Sequence, residues 1–111
     1  AQRAASLAEA MILAWSSIES FFRPGQPHTT HKVSLSVATY LESGGPARDA
    51  LYGKSKALYE ARGRVTHAAE PPLAKDVVET FKIARRCLQK AIEVGEVPQL
   101  SELQERWRQR Q

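Results

Sequence analysis

Clusters of proline and glycine divide this chain of 111 residues into long segments with helical periodicity. They lie at four breaks, where a helix cannot continue: residues 24–27, 44–46, 71–72 and 95–98. Between the breaks, apolar side chains recur at spacings of three and four residues, the pattern of one helix face. Five helices are predicted. The first covers residues 2–23, and the second runs from a cap at Thr29 or Thr30 to about Ser43. The third covers residues 47–68, the fourth residues 72–94, and a shorter fifth follows Pro98. No segment alternates like a strand, which predicts an all-α fold, an antiparallel four-helix bundle with a short fifth C-terminal helix.

The spacing of apolar residues also predicts which helix faces are buried. The first helix carries large aromatic side chains, interpreted as core rather than as a platform for stacked bases: Trp15, Phe21 and Phe22. The fourth helix has the clearest stripe, which predicts as core Leu73, Val77, Phe81, Ala84, Leu88 and Ala91, broadened by Val78 and Ile92. Its basic residues, Lys90 among them, are predicted to cover the outer side.

The composition, 42% apolar and 25% charged, is typical of a soluble globular protein. We expect a single domain over residues 1–111, which a longer protein could contain because the chain begins without methionine. The single Cys87 cannot form an internal disulfide, so a cytoplasmic location fits. No apolar run approaches the ~20 residues that span a bilayer, and no membrane contact is expected. The net charge of +4, partly from Arg106, Arg108 and Arg110, permits contact with nucleic acid without requiring it.

Arg62 stands where the third helix should carry an apolar residue. Leu51, Leu58 and Val65 follow one another at seven-residue spacing, and Arg62 shares their face. A guanidinium keeps its charge and is costly to bury unpaired, so Arg62 should face a buried acidic partner, a cleft or an interface. His67 can exchange a proton near neutral pH, and together with Arg62 suits work on a phosphate. Five helical residues rotate by about 500°, however, so the two side chains need help to converge.

The run Leu58-Tyr59-x-x-Arg62-x4-His67 resembles the signature of the HEPN superfamily, and especially its Apea-like branch. The preceding helix from His31 to Leu41, the link Ser43–Pro46 and Arg48 are also similar to that branch. The resemblance covers residues 18–100, most of the chain.

This resemblance implies a bundle of four or five helices that forms a homodimer through the third helix, with two signatures facing one cleft. It further implies a metal-independent endoribonuclease with no cofactor, acting on RNA in phage defence or a stress response. The 2′-hydroxyl attacks the adjacent phosphate and leaves a 2′,3′-cyclic end. The implied roles are general acid or base for His67, stabilisation of the phosphorane by Arg62, an additional phosphate contact for Arg64, and support of Arg62 by Tyr59 or Thr66. For Tyr59, simple packing is the favoured alternative.

Two positions depart from the family pattern. Gly63 stands where active members commonly carry a polar residue, and Ala68 stands where the Apea-like branch usually has glycine. A non-catalytic HEPN module for dimerisation or RNA binding is therefore the first alternative. The second is an unrelated helical scaffold or adaptor in which Arg62 pairs with Glu60, Glu70 or Asp49. His28 and His31 are interpreted as a solvated loop pair rather than as metal ligands.

Overall fold

The computed structural model describes residues 2–23 and 29–109, with side chains from Ala4 onward. The five helices are α1 (Gln2–Phe22), α2 (Thr30–Leu41), α3 (Gly45–Ala68), α4 (Ala74–Val94) and α5 (Leu100–Gln109). The prediction of an all-α helical bundle with a short fifth helix is confirmed. Among the described residues, no helix combines the length and the apolar character that crossing a membrane requires.

Local sequence signals explain most helix ends. The Thr29 hydroxyl accepts a hydrogen bond of 3.1 Å from the Lys32 amide and caps α2. Pro46 lies in the first turn of α3, where its missing N–H costs nothing. Gly95 ends α4 in the left-handed region, at φ 90°. α2 stops two residues before the predicted end because the backbone at Glu42 is already extended.

α2 lies at the centre of the bundle and contacts all four other helices. Every residue from Val33 to Tyr40 is buried, including Ser34, Ser36 and Thr39. The apolar residues at helical spacing, Val33, Val37, Tyr40 and Leu41, therefore mark only one of its packed faces. Small side chains such as serine and alanine allow neighbouring helices to approach from several directions, which apolar periodicity alone does not reveal.

α1 supplies the largest core side chains. Met11, Trp15, Ile18 and Phe22 are each no more than 2% exposed. Trp15 packs edge-on against Tyr59 of α3, with ring centroids 5.0 Å apart, while the half-buried Phe21 lies 5.6 Å from the ring of Tyr40. The interpretation of the three aromatic residues as core is confirmed.

Two arginines attach α5 to the bundle. Arg48 is buried and donates hydrogen bonds to the carbonyl oxygens of Arg106 and Trp107, at 3.1 and 3.5 Å. Its guanidinium also lies 4.7 Å from the centre of the Trp107 ring, a cation–π contact. Arg106 in turn donates to the carbonyl of Thr39 at 2.9 Å. Part of the basic tail is therefore structural, while Arg110 lies outside the described residues.

His31 is exposed, as predicted, but it belongs to a helix and to an aromatic cluster rather than to a loop. It lies in the first turn of α2, with Nδ1 2.8 Å from the Tyr52 hydroxyl and its ring 6.3 Å from Trp107. Thr29, one of the two caps expected, starts the helix before His31, so the description of this histidine as a loop residue was wrong. His28 lies outside the described residues.

The predicted core face of α4 was partly wrong. Val77 is buried, but three other members of the stripe are exposed: Leu73 (59%), Phe81 (42%) and Leu88 (57%). The buried face consists of Val77, Thr80, Ile83 and Cys87. Thr80 can be buried because its hydroxyl donates to the Asp76 carbonyl at 2.8 Å, so a polar residue occupies a core position.

Lys90 was predicted to lie on the outer side of α4, and the structure places it differently. It is half-buried, donates to the carbonyl of Tyr40, and lies 4.6 Å from the centre of the Tyr40 ring. Burial and the nearby charge of Arg106 lower the pKa of its ammonium. Lys90 and Arg106 thus satisfy carbonyl groups at the C-terminal end of α2 that have no partner within that helix.

Candidate functional site

The residues of the signature lie along the last three turns of α3. The helix continues through Gly63 and ends at Ala68, after which Ala69 adopts a left-handed conformation with φ 54°. A Cβ at Gly63 would meet no atom within 4 Å, so among the described residues no close helix contact requires this glycine. Beside it is an open concavity of about 480 Å³, lined by Thr30, Tyr59, Glu60, Gly63, Arg64, His67 and Ala68.

Arg62 turns toward α1 and meets a buried acid, one of the environments expected from its sequence position. Its Nη2 lies 4.0 Å from Oε1 of Glu19, and its side chain is 25% exposed. The guanidinium carbon lies 5.4 Å from the centre of the Tyr59 ring. Its buried Nε has no hydrogen-bond partner among the described residues. A salt bridge therefore holds Arg62 while part of its donor capacity stays unused.

Glu19 is the residue of the candidate site that sequence reasoning missed. The scaffold hypothesis named Glu60, Glu70 and Asp49 as partners of Arg62, whereas the structure places Glu19 of α1 there. Its carboxylate is buried, and it follows Trp15 by four residues and precedes Phe22 by three. That spacing places an acid on the buried stripe of α1, just as Arg62 lies on the stripe of α3. An acid at such a position was the feature of the sequence that could have identified Glu19.

Tyr59 links Glu19 to the core. Its hydroxyl donates to Oε2 of Glu19 at 2.7 Å while its ring packs on Trp15 and faces Arg62. Burial, followed by the hydrogen bond to Glu19, raises the pKa of Tyr59 to about 12. Both proposed roles of Tyr59 therefore coexist, since it packs in the core and also contacts the guanidinium.

This raised pKa predicts a loss of stability at high pH. Tyr59 is neutral in the folded chain up to about pH 12, whereas an unfolded tyrosine ionises near pH 10. Its contribution to the free energy of unfolding is complete below pH 10 and is lost between pH 10 and about 12. Urea denaturation at pH 9, 10 and 11 should show a steeper decline for the wild type than for Tyr59→Phe. Parallel declines would contradict this placement of Tyr59.

His67 and Arg64 lie on the solvent side of the same helix. His67 is exposed in the last turn, and the half-exposed Arg64 donates from Nε to Glu70 at 3.2 Å. The Thr66 hydroxyl donates to the backbone carbonyl of Arg62 at 3.2 Å, so it bonds the main chain and not the guanidinium. Salt bridges this exposed are weak, which leaves Arg64 able to exchange Glu70 for a phosphate.

The structure thus brings Tyr59, Arg64 and His67 to one concavity and directs Arg62 to another side of α3. This agrees with the rotation expected for residues five apart on a regular helix. An exposed imidazole and a half-exposed guanidinium in one concavity can bind a phosphate and transfer a proton to or from it. Within residues 2–23 and 29–109, no three His, Cys, Asp or Glu side chains group as a metal site would require.

Comparison of the chain with models of protein families, with curated proteins and with solved structures finds no match.

Proposed function

We propose that this chain is a HEPN-type RNA-processing domain, a metal-independent endoribonuclease whose site lies at the C-terminal end of α3. One observation carries the proposal: His67 and Arg64 border the same open concavity, one turn from a second guanidinium that Glu19 and Tyr59 hold in place. A proton-transfer group and a cation in one concavity suit cleavage of a phosphodiester, and Arg62 on another side of α3 is a second cation.

In this mechanism the 2′-hydroxyl of RNA attacks the adjacent phosphorus and the 5′-oxygen of the next nucleotide leaves. His67 takes the proton of the attacking hydroxyl or gives one to the leaving oxygen. Arg64 holds the phosphate, and Arg62 stabilises the charge that develops on its oxygens. The products are a 2′,3′-cyclic phosphate and a free 5′-hydroxyl. DNA lacks the attacking group and is not a substrate.

In one chain Arg62 and His67 lie on different sides of α3. A homodimer through α3 would bring these groups together. The exposed last turns of two α3 helices, facing across a two-fold axis, would bring two copies of His67 and Arg64 to one cleft. The exposed quarter of the Arg62 side chain would complete that cleft. We further propose a cytoplasmic role in defence or a stress response, which the free, buried Cys87 suits.

A non-catalytic HEPN module for dimerisation or RNA binding is the second candidate. It is favoured by the contacts of Arg62 with Glu19 and Tyr59. These contacts explain the presence of an arginine at a partly buried position without a substrate or a second chain. In that case Arg64 and His67 would contact RNA without cutting it.

Cleavage of a mixed-sequence single-stranded RNA in EDTA tests the proposal, with a 2′-deoxy strand of the same sequence as the control. We expect cleavage of the RNA alone and products with cyclic-phosphate ends. Intact RNA that nevertheless binds would favour the second candidate. Cleavage of the deoxy strand would exclude attack by the 2′-hydroxyl, and activity abolished by EDTA would exclude a metal-independent mechanism.

A further inference from the structure

α4 presents an apolar face that no other part of the described chain covers. We define the α4 face as Val78, Phe81, Leu88 and Ile92, whose exposed fractions are 52%, 42%, 57% and 79%. On the neighbouring α1, Leu13 is 62% exposed and lies one turn before Ser17, which borders α4. At 1.5 Å per residue the α4 face is about 21 Å long. Four exposed apolar side chains on one helix face indicate an interaction site more than scattered exposed residues do.

Basic side chains border the N-terminal half of this face, beside Val78 and Phe81, whereas Glu93 follows Ile92 at its C-terminal end. Lys75, Lys82 and Arg85 are spaced by seven and three residues and lie on one side of the helix. Arg85 also interrupts the stripe midway between Phe81 and Leu88. Neither Lys75 nor Arg85 pairs with a carboxylate in the part of the chain that the structure describes, and Lys82 pairs with Glu79 only at the surface, at 3.2 Å. The face therefore combines apolar anchors with cations available to an acidic partner.

A small depression interrupts the surface between α1 and α4. It measures about 40 Å³ and is lined almost entirely by apolar groups, namely Ser17, Ile18, Phe21, Ala84, Cys87 and Leu88. This is close to the ~30 Å³ that one water molecule occupies, and it suits the end of one branched side chain. Such a hole receives a knob from a partner helix, as in helix–helix packing.

We propose that the α4 face binds an acidic amphipathic helix of another protein. Leucine or isoleucine side chains would cover Phe81 and Leu88 and enter the depression, and flanking carboxylates would pair with Lys75, Lys82 and Arg85. Helix-in-groove recognition uses anchors spaced by three, four and seven residues, which match this stripe. The proposal does not rest on the ribonuclease function. The α4 face lies on α4 beside α1, whereas the proposed ribonuclease site lies on α3.

Charge disfavours a second copy of this chain as the occupant. In a two-fold antiparallel contact of α4, Phe81 would oppose the partner's Leu88 and Val78 would oppose its Ile92. The two Arg85 side chains would then meet at the axis, and like charges in apposition oppose binding. A lipid surface would use the basic border but would not need a hole shaped for one side chain.

A synthetic helical peptide of about 18 residues, with leucines on one stripe and glutamates beside it, serves as the probe. Its controls carry lysine for each glutamate, or serine for each leucine. By fluorescence anisotropy we expect the acidic peptide alone to bind, with a Kd that rises as salt increases. Leu88→Asp should raise the Kd roughly tenfold or more, and Arg85→Glu about threefold to tenfold. Lys56→Glu, the same charge change on the exposed surface of α3, should leave it unchanged.

Three results would overturn the proposal. The first is equal binding of the acidic and lysine peptides, or binding that Leu88→Asp leaves unaltered. The second is binding to phosphatidylserine vesicles with none to the acidic peptide, which would assign the face to a membrane. The third is a dimer in sedimentation that Leu88→Asp dissociates, which would assign it to a second copy. Circular dichroism of each variant checks that the fold is retained, as the exposure of all three positions leads us to expect.

Discussion

Replacement of His67 by alanine is expected to lower the rate of RNA cleavage by about 10²–10⁴-fold without changing stability. The imidazole is exposed at the end of α3, where its removal leaves no cavity and no buried group without a partner. The free energy of unfolding should therefore stay within about 0.5 kcal/mol of the wild type. Single-turnover cleavage and urea denaturation of the same preparations measure the two quantities.

Arg62→Ala is the informative companion to this variant, because its site is partly buried. It should lose cleavage and also about 1–3 kcal/mol of stability, since the buried Glu19 carboxylate would lose the guanidinium that lies 4.0 Å away. Arg64→Ala, at a half-exposed position, should weaken RNA binding while the fold is unaffected. Loss of stability in Arg62→Ala with cleavage intact would restrict this arginine to a structural role. Equal cleavage by the wild type and His67→Ala would contradict the proposed mechanism.

The sequence predicted the helices better than their packing. Proline, glycine and the Thr29 cap are local signals, and they located the five helices to within a few residues. Burial on α4 depended on partners elsewhere in the chain. Periodicity could not show that Thr80 would satisfy its own hydroxyl and lie in the core, or that Phe81 and Leu88 would remain exposed.

The candidate site was predictable to a similar extent. The unusual position of Arg62 indicated a buried acid, a cleft or an interface, and the structure supplies the acid. The identity of that acid depended on how α1 packs against α3, because Glu19 and Arg62 are 43 positions apart. The sequence favoured Glu60 and Glu70, which are close to Arg62 along the chain. The rotation between Arg62 and His67 was correctly anticipated from helix geometry, and it is the reason that one chain presents them on different sides.

Glu19→Ala should be the most destabilising single change near the site, with an expected loss of about 2–4 kcal/mol of unfolding free energy. It leaves the buried Tyr59 hydroxyl without its acceptor and removes the carboxylate beside Arg62. Glu9→Ala, on the exposed side of the same helix, is the matched control and should change stability by no more than about 0.5 kcal/mol.

A double-mutant cycle separates the pair from its surroundings. If Glu19 and Arg62 stabilise each other, Glu19→Ala with Arg62→Ala should cost less than the two single losses added together, by about 0.5–3 kcal/mol. The same cycle with Tyr59→Phe measures the hydrogen bond. Strict additivity in both cycles would mean that the 4.0 Å and 2.7 Å contacts contribute nothing jointly. The contact with Glu19 would then not explain why an arginine occupies an apolar position of α3. A ligand or a second chain that binds the exposed part of the Arg62 side chain would be the remaining explanation.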